Sequence, residues 1–355
     1  MEPNNQRSLF HQTGFTLVEI MVGLAIGMLA TLVIMQVFSV FETQKRTTTG
    51  TADAQTNGSI ALYNIGRELR FSGYPLMPVT DSPLECTTLT VNGIADATIP
   101  NRLSPIAIAN GVAASGVSAS DTITLRYGNS NSGGIPSRIN VVGAPTANDV
   151  TIDNNLGCQA GDTTLIINGA TCAMSSASAV SGTTTVTLAN AAGAIGGANL
   201  ACLGTWNEIT YAVNNGNLER NGVPTVTGIV NLQAQYGISA ATNSNQITQW
   251  VNASGGTWAA PTIANRNRIK AVRIAVVARN AKKEAKVANA CITTTACSSM
   301  TAAAPTGLCA WAGSVASPAP TIDLSAGDAD WGCYRYRVFE TIIPLRNMIW
   351  SKDTL

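Results

Sequence analysis

Residues Phe15 to Phe41 read FTLVEIMVGLAIGMLATLVIMQVFSVF, an apolar run whose only charge is Glu19. Nothing else in the chain restricts its folding so strongly. Taking Phe15 to Phe38 as the core, a helix rising about 1.5 Å per residue covers roughly 36 Å, enough to cross the hydrocarbon layer of a bilayer. No proline interrupts the run, and Gly23 and Gly27 are tolerated in membrane helices, where they let neighbours approach closely. Two ordinary explanations fall short. A secretory signal has a shorter apolar region followed by a small-residue cleavage site, whereas here the small residue, Gly14, comes first. A plain single-pass anchor accounts for the length but not for Glu19, because a carboxylate in a membrane helix costs a few kcal/mol and points to function.

The residue inventory removes several function classes. The only histidine is His11, ahead of the apolar run. From Phe15 onward the sequence has no imidazole to act as general base, triad member or metal ligand. Carboxylate and lysine chemistry stay open, but no G-x-S-x-G elbow, P-loop or metalloprotease motif is present. The formal net charge of +1 gives no global field toward nucleic acid or an anionic surface. All eight cysteines, Cys86, Cys158, Cys172, Cys202, Cys291, Cys297, Cys309 and Cys333, lie beyond the apolar run. An even count past a membrane anchor predicts disulfides in an oxidising compartment. A zinc site is the weaker reading, since there is no C-x2-C pair and no histidine partner. Eight cysteines allow about 105 full pairings. Their clustering favours local bridges within Cys158 to Cys202 and within Cys291 to Cys333.

The helix is expected to continue beyond the bilayer. Residues 42–58 are polar and Thr-rich, with weak helix propensity, but in residues 59–72 Leu62, Ile65 and Leu69 restore an apolar stripe. Gly73 is the expected C-cap and Pro75 the stop. Past Pro78 the pattern turns to strands: Asp121 to Tyr127, Val150 to Ile152, Thr163 to Ile167 and Thr183 to Leu188, separated by Gly, Asn and Ser turns. Better-defined strands follow. Trp206 to Val213 and Asn217 to Arg220 flank an Asn-Asn-Gly turn and read as a hairpin. Val226 to Ile238, Arg268 to Arg279 and Tyr334 to Leu345 complete the set.

The string Gly14-Phe15-Thr16-Leu17-Val18-Glu19 resembles the prepilin cleavage motif of type IV pilins and type II secretion pseudopilins. Three further segments narrow the resemblance to the PilW family of minor pilins: Arg67-Glu68-Leu69-Arg70-Phe71-Ser72-Gly73-Tyr74, Leu232-Gln233-Ala234-Gln235-Tyr236-Gly237, and Arg335 to Trp350 with Leu345-Arg346-Asn347. It covers both ends and about half of the chain; residues 79–205 and 290–333 lie outside it. The resemblance implies that a prepilin peptidase cuts between Gly14 and Phe15 and N-methylates Phe15. It implies that Glu19 attracts the N-terminal amine of a neighbouring subunit, a pairing in which each charge offsets the other's desolvation. Arg7 is balanced by Lys45 and Arg46, so the orientation, N-terminus inside, also comes from the resemblance. The implied partners are other minor pilins and the major pilin, the inner-membrane assembly platform and a tip adhesin; no cofactor is implied.

The expected fold is α+β and pilin-like: a long N-terminal helix whose first half anchors and whose second half packs on an antiparallel β-sheet domain with a β-rich insertion. The expected organisation is a cleaved leader (1–14), a transmembrane and assembly helix (15–41), the periplasmic half of the helix (42–74), a variable β-rich region (75–205) and a C-terminal β-sheet region with a cysteine-rich loop (206–355). The implied role is a subunit that helps start pilus assembly, sits at the filament tip, and serves adhesion, twitching motility or DNA uptake. A J-type pseudopilin of type II secretion is the near alternative; a pilus-displayed adhesin or DNA-binding module is the alternative of another class.

Three further groups each have two readings. Asp323, Asp328 and Asp330 form either a calcium loop or a solvated acidic turn, and their spacing is not that of an EF-hand. Arg266, Arg268, Lys270 and Arg273, with Lys282, Lys283 and Lys286, form either a DNA-contacting stripe or alternating solvent-facing charge. Trp250, Trp258, Trp311 and Trp331 are either ligand platforms or small satellite cores.

Overall fold

The computed structural model describes residues 14–76, 86–98, 102–111, 120–284, 291, 310–311, 322, 324 and 330–349. Arg7, His11, Lys286, Cys297, Cys309, Asp323 and Asp328 lie outside these residues. Two compact units are present, Met1–Thr49 and Gly50–Leu355.

Helix α1 runs Leu17–Leu69 without a break. In the first unit its apolar side chains are bare: Phe15, Leu17, Leu24, Met28, Met35 and Phe38 are each more than two-thirds exposed. In the weak-propensity stretch, Thr43 and Thr48 hydroxyls donate back to the Ser39 and Gln44 carbonyls at 2.9 Å each, and Glu42 pairs with Arg46 one turn on at 3.0 Å.

In the second unit the buried stripe of α1 starts with small residues, Gly50, Ala54, Gly58 and Ala61, before Ile65 and Leu69. Glycine weakens a helix, and here it admits a neighbour: a Cβ at Gly58 would overlap the Phe339 ring, and one at Gly66 would lie 3.3 Å from Ile343. Counting only large apolar residues finds the end of this stripe and misses its beginning.

Seventeen strands among the described residues form three sheets. The largest contains β1 (Thr88–Val91), β2 (Ile94–Ala95), β5 (Ser137–Val142), β6 (Asp149–Ile152), β7 (Thr163–Asn168), β8 (Thr171–Ser181), β9 (Thr185–Leu188) and β10 (Asn199–Gly204). Its order is β2-β1-β8-β7-β10-β5-β6-β9, and β9 also pairs back to β8. The pairings therefore close a six-stranded antiparallel barrel, with the β1–β2 hairpin added on β8. Ile139, Val150, Ile152, Ile166, Val186 and Leu200 form one core. The alternate residues Leu165, Ile167, Ala201 and Leu203 turn the other way, into a second core with Leu76, Leu103 and Met174.

A five-stranded sheet, β13-β12-β11-β4-β3, uses β3 (Ile106–Ala109), β4 (Thr122–Tyr127), β11 (Asn207–Asn214), β12 (Asn217–Arg220) and β13 (Val223–Thr227). The expected hairpin joins β11 and β12, with Asn215 and Gly216 both at positive φ, as a type I′ turn requires. Strands β4 and β11 pair from Tyr127↔Asn207 to Ile123↔Tyr211, so the barrel strands β5 to β10 occupy the place of a loop between them. Strands β3 and β4 come from the stretch assigned by sequence to the variable region, yet they share a sheet with residues 207–227.

A four-stranded sheet, β15-β14-β16-β17, holds β14 (Ile229–Ser239), β15 (Ile247–Val251), β16 (Ile269–Arg279) and β17 (Tyr336–Pro344). The expected single strand Val226 to Ile238 is split at Gly228, whose φ of +75° turns the chain from β13 into β14. Short helices α2 (Gly255–Trp258) and α3 (Ile263–Arg268) lie between β15 and β16, and α4 (Arg346–Ile349) follows β17.

The stripe of α1 shares one core with both smaller sheets, through Ile106, Ile123, Leu125, Ile209, Leu232, Val272 and Ile274. Within that seat Glu68 is buried; it pairs with Arg220 at 3.0 Å and accepts the Tyr211 hydroxyl at 2.8 Å. Burial and the Glu68 charge raise the Tyr211 phenol. Asp121 joins the two smaller sheets outside their ladders. Its carboxylate accepts Gly111 N–H at 2.8 Å and Ala234 N–H at 2.7 Å, and its own N–H donates to Leu232 O at 2.7 Å. Burial outweighs those bonds and pushes its carboxyl up to about 6.

Two predictions follow from these contacts. Gly58→Ala gains about 1 kcal/mol of helix propensity, but crowding Phe339 costs about 1–3 kcal/mol. Its unfolding midpoint should therefore fall or at best stay level, and Phe339→Ala in the same chain should turn the substitution stabilising; stabilisation of the single variant would show that the ring swings aside freely. Because the folded state holds the Asp121 proton more tightly than the unfolded state, its stabilising effect is complete below the unfolded value near 3.8 and is lost as pH rises to about 6. The wild type should lose up to about 3 kcal/mol relative to Asp121→Asn between pH 4 and 6.5 in paired denaturant titrations. Parallel pH profiles would contradict this.

Candidate functional site

The residues around the start of α1 form a closed local motif. Thr16 precedes the first helical residue, and its hydroxyl accepts the Glu19 N–H at 3.3 Å. In return Glu19 Oε2 accepts both the Thr16 N–H and the Thr16 hydroxyl at 3.0 Å. This is a capping box, Thr-x-x-Glu, satisfying helix N–H groups that would otherwise lack partners. The sequence reading gave Glu19 an intermolecular role only; the Thr16 spacing was the available signal for the intramolecular one. Glu19 Oε1 has no partner among the described residues. Gly14 lies open, with nothing within 4 Å of where a Cβ would stand, and Phe15 is 85% exposed. One described helix is apolar and long enough to cross a bilayer, and its most apolar window is unburied.

The other candidates are dispersed by the fold. Cys158 bridges Cys202, Cys291 bridges Cys333, and Cys86 bridges Cys172. The first two match the expected local clusters, whereas Cys172 is drawn to Cys86 because β1 lies parallel beside β8, with Leu89 opposite Cys172. Asp330 pairs with Lys283 at 3.1 Å, and the other two carboxylates of its group, Asp323 and Asp328, lie outside the described residues.

The basic segment is not an exposed stripe. Arg266 and Lys270 are buried, and Lys270 Nζ donates to the Thr242 and Met348 carbonyls at 3.3 and 3.4 Å. Arg268 lies over Trp258 at 5.6 Å. Arg273 is stacked between Trp250 at 4.9 Å and Trp311 at 4.2 Å, and donates to Gln235 Oε1 at 2.5 Å. Burial pulls both Arg266 and Arg273 down to about 10, with Glu340 acting against it at Arg273. Lys282 and Lys283 are exposed. Trp258 and Trp311 therefore serve packing: Trp311 joins Ala275, Val277 and Ile322 in a small core on the outer face of β16, and Trp258 packs near Tyr236; at Trp331 it is the main-chain carbonyl that accepts the Tyr336 hydroxyl, at 2.9 Å.

Sequence reasoning also missed a polar cleft of about 310 Å³ beside the barrel, lined by residues 129–132, 156–157, 159, 162 and 204–205. Its residues come from three separate loops, and no local pattern announces it.

A capped apolar helix with bare side chains, followed by a β-rich unit, fits a membrane-anchored, pilin-like subunit. Residues 9–35 match the prokaryotic N-terminal methylation motif, and residues 205–347 match the family described as Type IV Pilus-assembly protein W. Over these two stretches the chain is similar to PilW-type pilus-assembly proteins carrying a pilin N-terminus. No curated protein and no solved structure matches it.

Proposed function

We propose that this protein is a minor pilin of the type IV pilus that helps initiate pilus assembly and occupies a position at or near the filament tip, where it supports adhesion, twitching motility or DNA uptake. The observation that carries this reading is Glu19, the one charge in an otherwise bare apolar run, placed just after Gly14-Phe15. Before assembly the helix sits in the inner membrane with the β-rich unit periplasmic, and lipid covers the apolar side chains. Prepilin peptidase cuts between Gly14 and Phe15 and methylates the new amine. That amine is then a cation among apolar groups, and its cheapest partner is a carboxylate at the same depth on a neighbouring pilin. Glu19 suits this role because one oxygen caps its own helix while the other is left to a second subunit. Other minor pilins, the major pilin, the assembly platform and a tip adhesin are the partners in this scheme. The role is structural rather than catalytic, consistent with a mature chain that has no histidine.

The test is intact mass and N-terminal sequencing of membrane-extracted protein, beside filament incorporation of Glu19→Ala and Glu19→Gln. The expected mature chain begins at methylated Phe15, and both variants lose incorporation about tenfold or more. Glutamine still completes the capping box but carries no charge. Normal incorporation of Glu19→Gln would therefore reduce Glu19 to a helix cap, and a chain still beginning at Met1 would overturn the processing scheme. Loss of secretion with intact pili on deletion of the gene would move the protein to the type II machine.

A further inference from the structure

The cleft beside the barrel is built rather than incidental. It sits where the chain leaves β4 for the barrel and returns from β10 to β11. Asn129 and Ser130 N–H groups both donate to Leu203 O at 3.1 Å, and Thr205 N–H donates to Asn129 Oδ1 at 2.6 Å. The Ser130 and Ser132 hydroxyls are 3.0 Å apart, and the Tyr74 hydroxyl donates to Ser130 O at 2.7 Å. The Cys158–Cys202 bridge fastens the 156–162 loop to the end of β10. A side chain at Gly157 would overlap Ser132, and one at Gly204 would overlap Asn129. The walls are thus fixed before any ligand arrives, which lowers the ordering cost of binding.

The groups left over after this internal bonding define the ligand. Among the described residues, Asn129 Nδ2, the Asn131 and Gln159 side-chain amides, Asp162 Oδ1 and the Thr205 hydroxyl all line the cleft without a protein partner. Donors and acceptors therefore alternate over a short distance. Among the described residues no lysine, arginine or histidine lines the cleft, which disfavours phosphate and other anions. One carboxylate falls short of the oxygen set that calcium requires. Among the described lining residues no aromatic ring offers a platform for a base. A vicinal diol is both donor and acceptor at each hydroxyl, as are the amide and hydroxyl groups here. Leu156, 84% exposed at the rim, offers an apolar surface to the C–H face of a sugar ring. The volume lies at the low end for ligand sites, matching one or two sugar units rather than a long chain.

We propose that this cleft binds the end of a neutral saccharide through vicinal hydroxyls. Its use as a surface contact rests on the filament reading, but the binding itself does not.

The full chain, purified in a detergent without a sugar head group, is titrated by saturation-transfer NMR with the methyl glycosides of glucose, galactose, mannose and N-acetylglucosamine. Sialic acid and calcium chloride serve as the anionic and cationic comparisons. At least one neutral glycoside should bind. Asn131→Ala and Leu156→Ala should each weaken it about five- to tenfold, the effect of one hydrogen bond or one apolar contact. Their unfolding midpoints should match the wild type, since neither side chain holds the fold together. Reduction of Cys158–Cys202 should also weaken binding. Absence of binding to every neutral glycoside, binding unchanged in both variants, or a response to calcium or sialic acid alone would overturn the proposal. Each readout uses isolated protein, so failure of the Glu19 variants to reveal a filament role would leave it intact.

Discussion

The close seating of α1 against the smaller sheets is the contact on which the second unit depends. Gly58 leaves room for the Phe339 ring and Gly50 for Asn280, Ala54 and Ala61 are buried, and Ile65 and Leu69 fill the space beyond. Small residues give up helix propensity to gain packing density. At the far end the buried Glu68 carboxylate is compensated by Arg220 and Tyr211; burying it without those partners would be costly. The helix thus has two solvents along its length: residues in the first unit are bare and call for lipid or other helices, while those from Gly50 onward have a protein face prepared for them.

The elements with strong periodicity were legible in the sequence. The apolar run, the Asn-Asn-Gly hairpin and the β-branched strand through Val272 to Val277 all appear where the pattern puts them. The misses have physical causes. Strand β8 reads TCAMSSASAVS, small residues of low strand propensity that suit the crowded interior of a narrow barrel, so composition argued for loop. Gly228 looked like one residue of a longer strand because a turn made by a single positive φ leaves no other mark.

The functional residues divide in the same way. The motif holding Gly14, Phe15 and Glu19 was legible because it is written within six positions, inside the stretch that the N-terminal methylation motif matches. The Thr16 half of the capping box was equally local but went unread. Arg273 and its neighbours looked like solvent-facing charge because the ring covering it, Trp311, arrives from far along the chain. The cleft was illegible for a related reason: Asn131, Leu156 and Thr205 meet only once the barrel has closed.

The placement of the barrel has a consequence for how such a protein changes over time. Because β4 and β11 pair directly, with Tyr127 opposite Asn207 at the edge of the insertion, the register of the five-stranded sheet is set without the residues between them. The entropic cost of closing an inserted loop grows only slowly with its length. The barrel, together with its Cys86–Cys172 fastening, therefore behaves as a cassette. Its surface can diverge, or be exchanged for another module, while the helix seat and the sheet that carries it keep the same geometry.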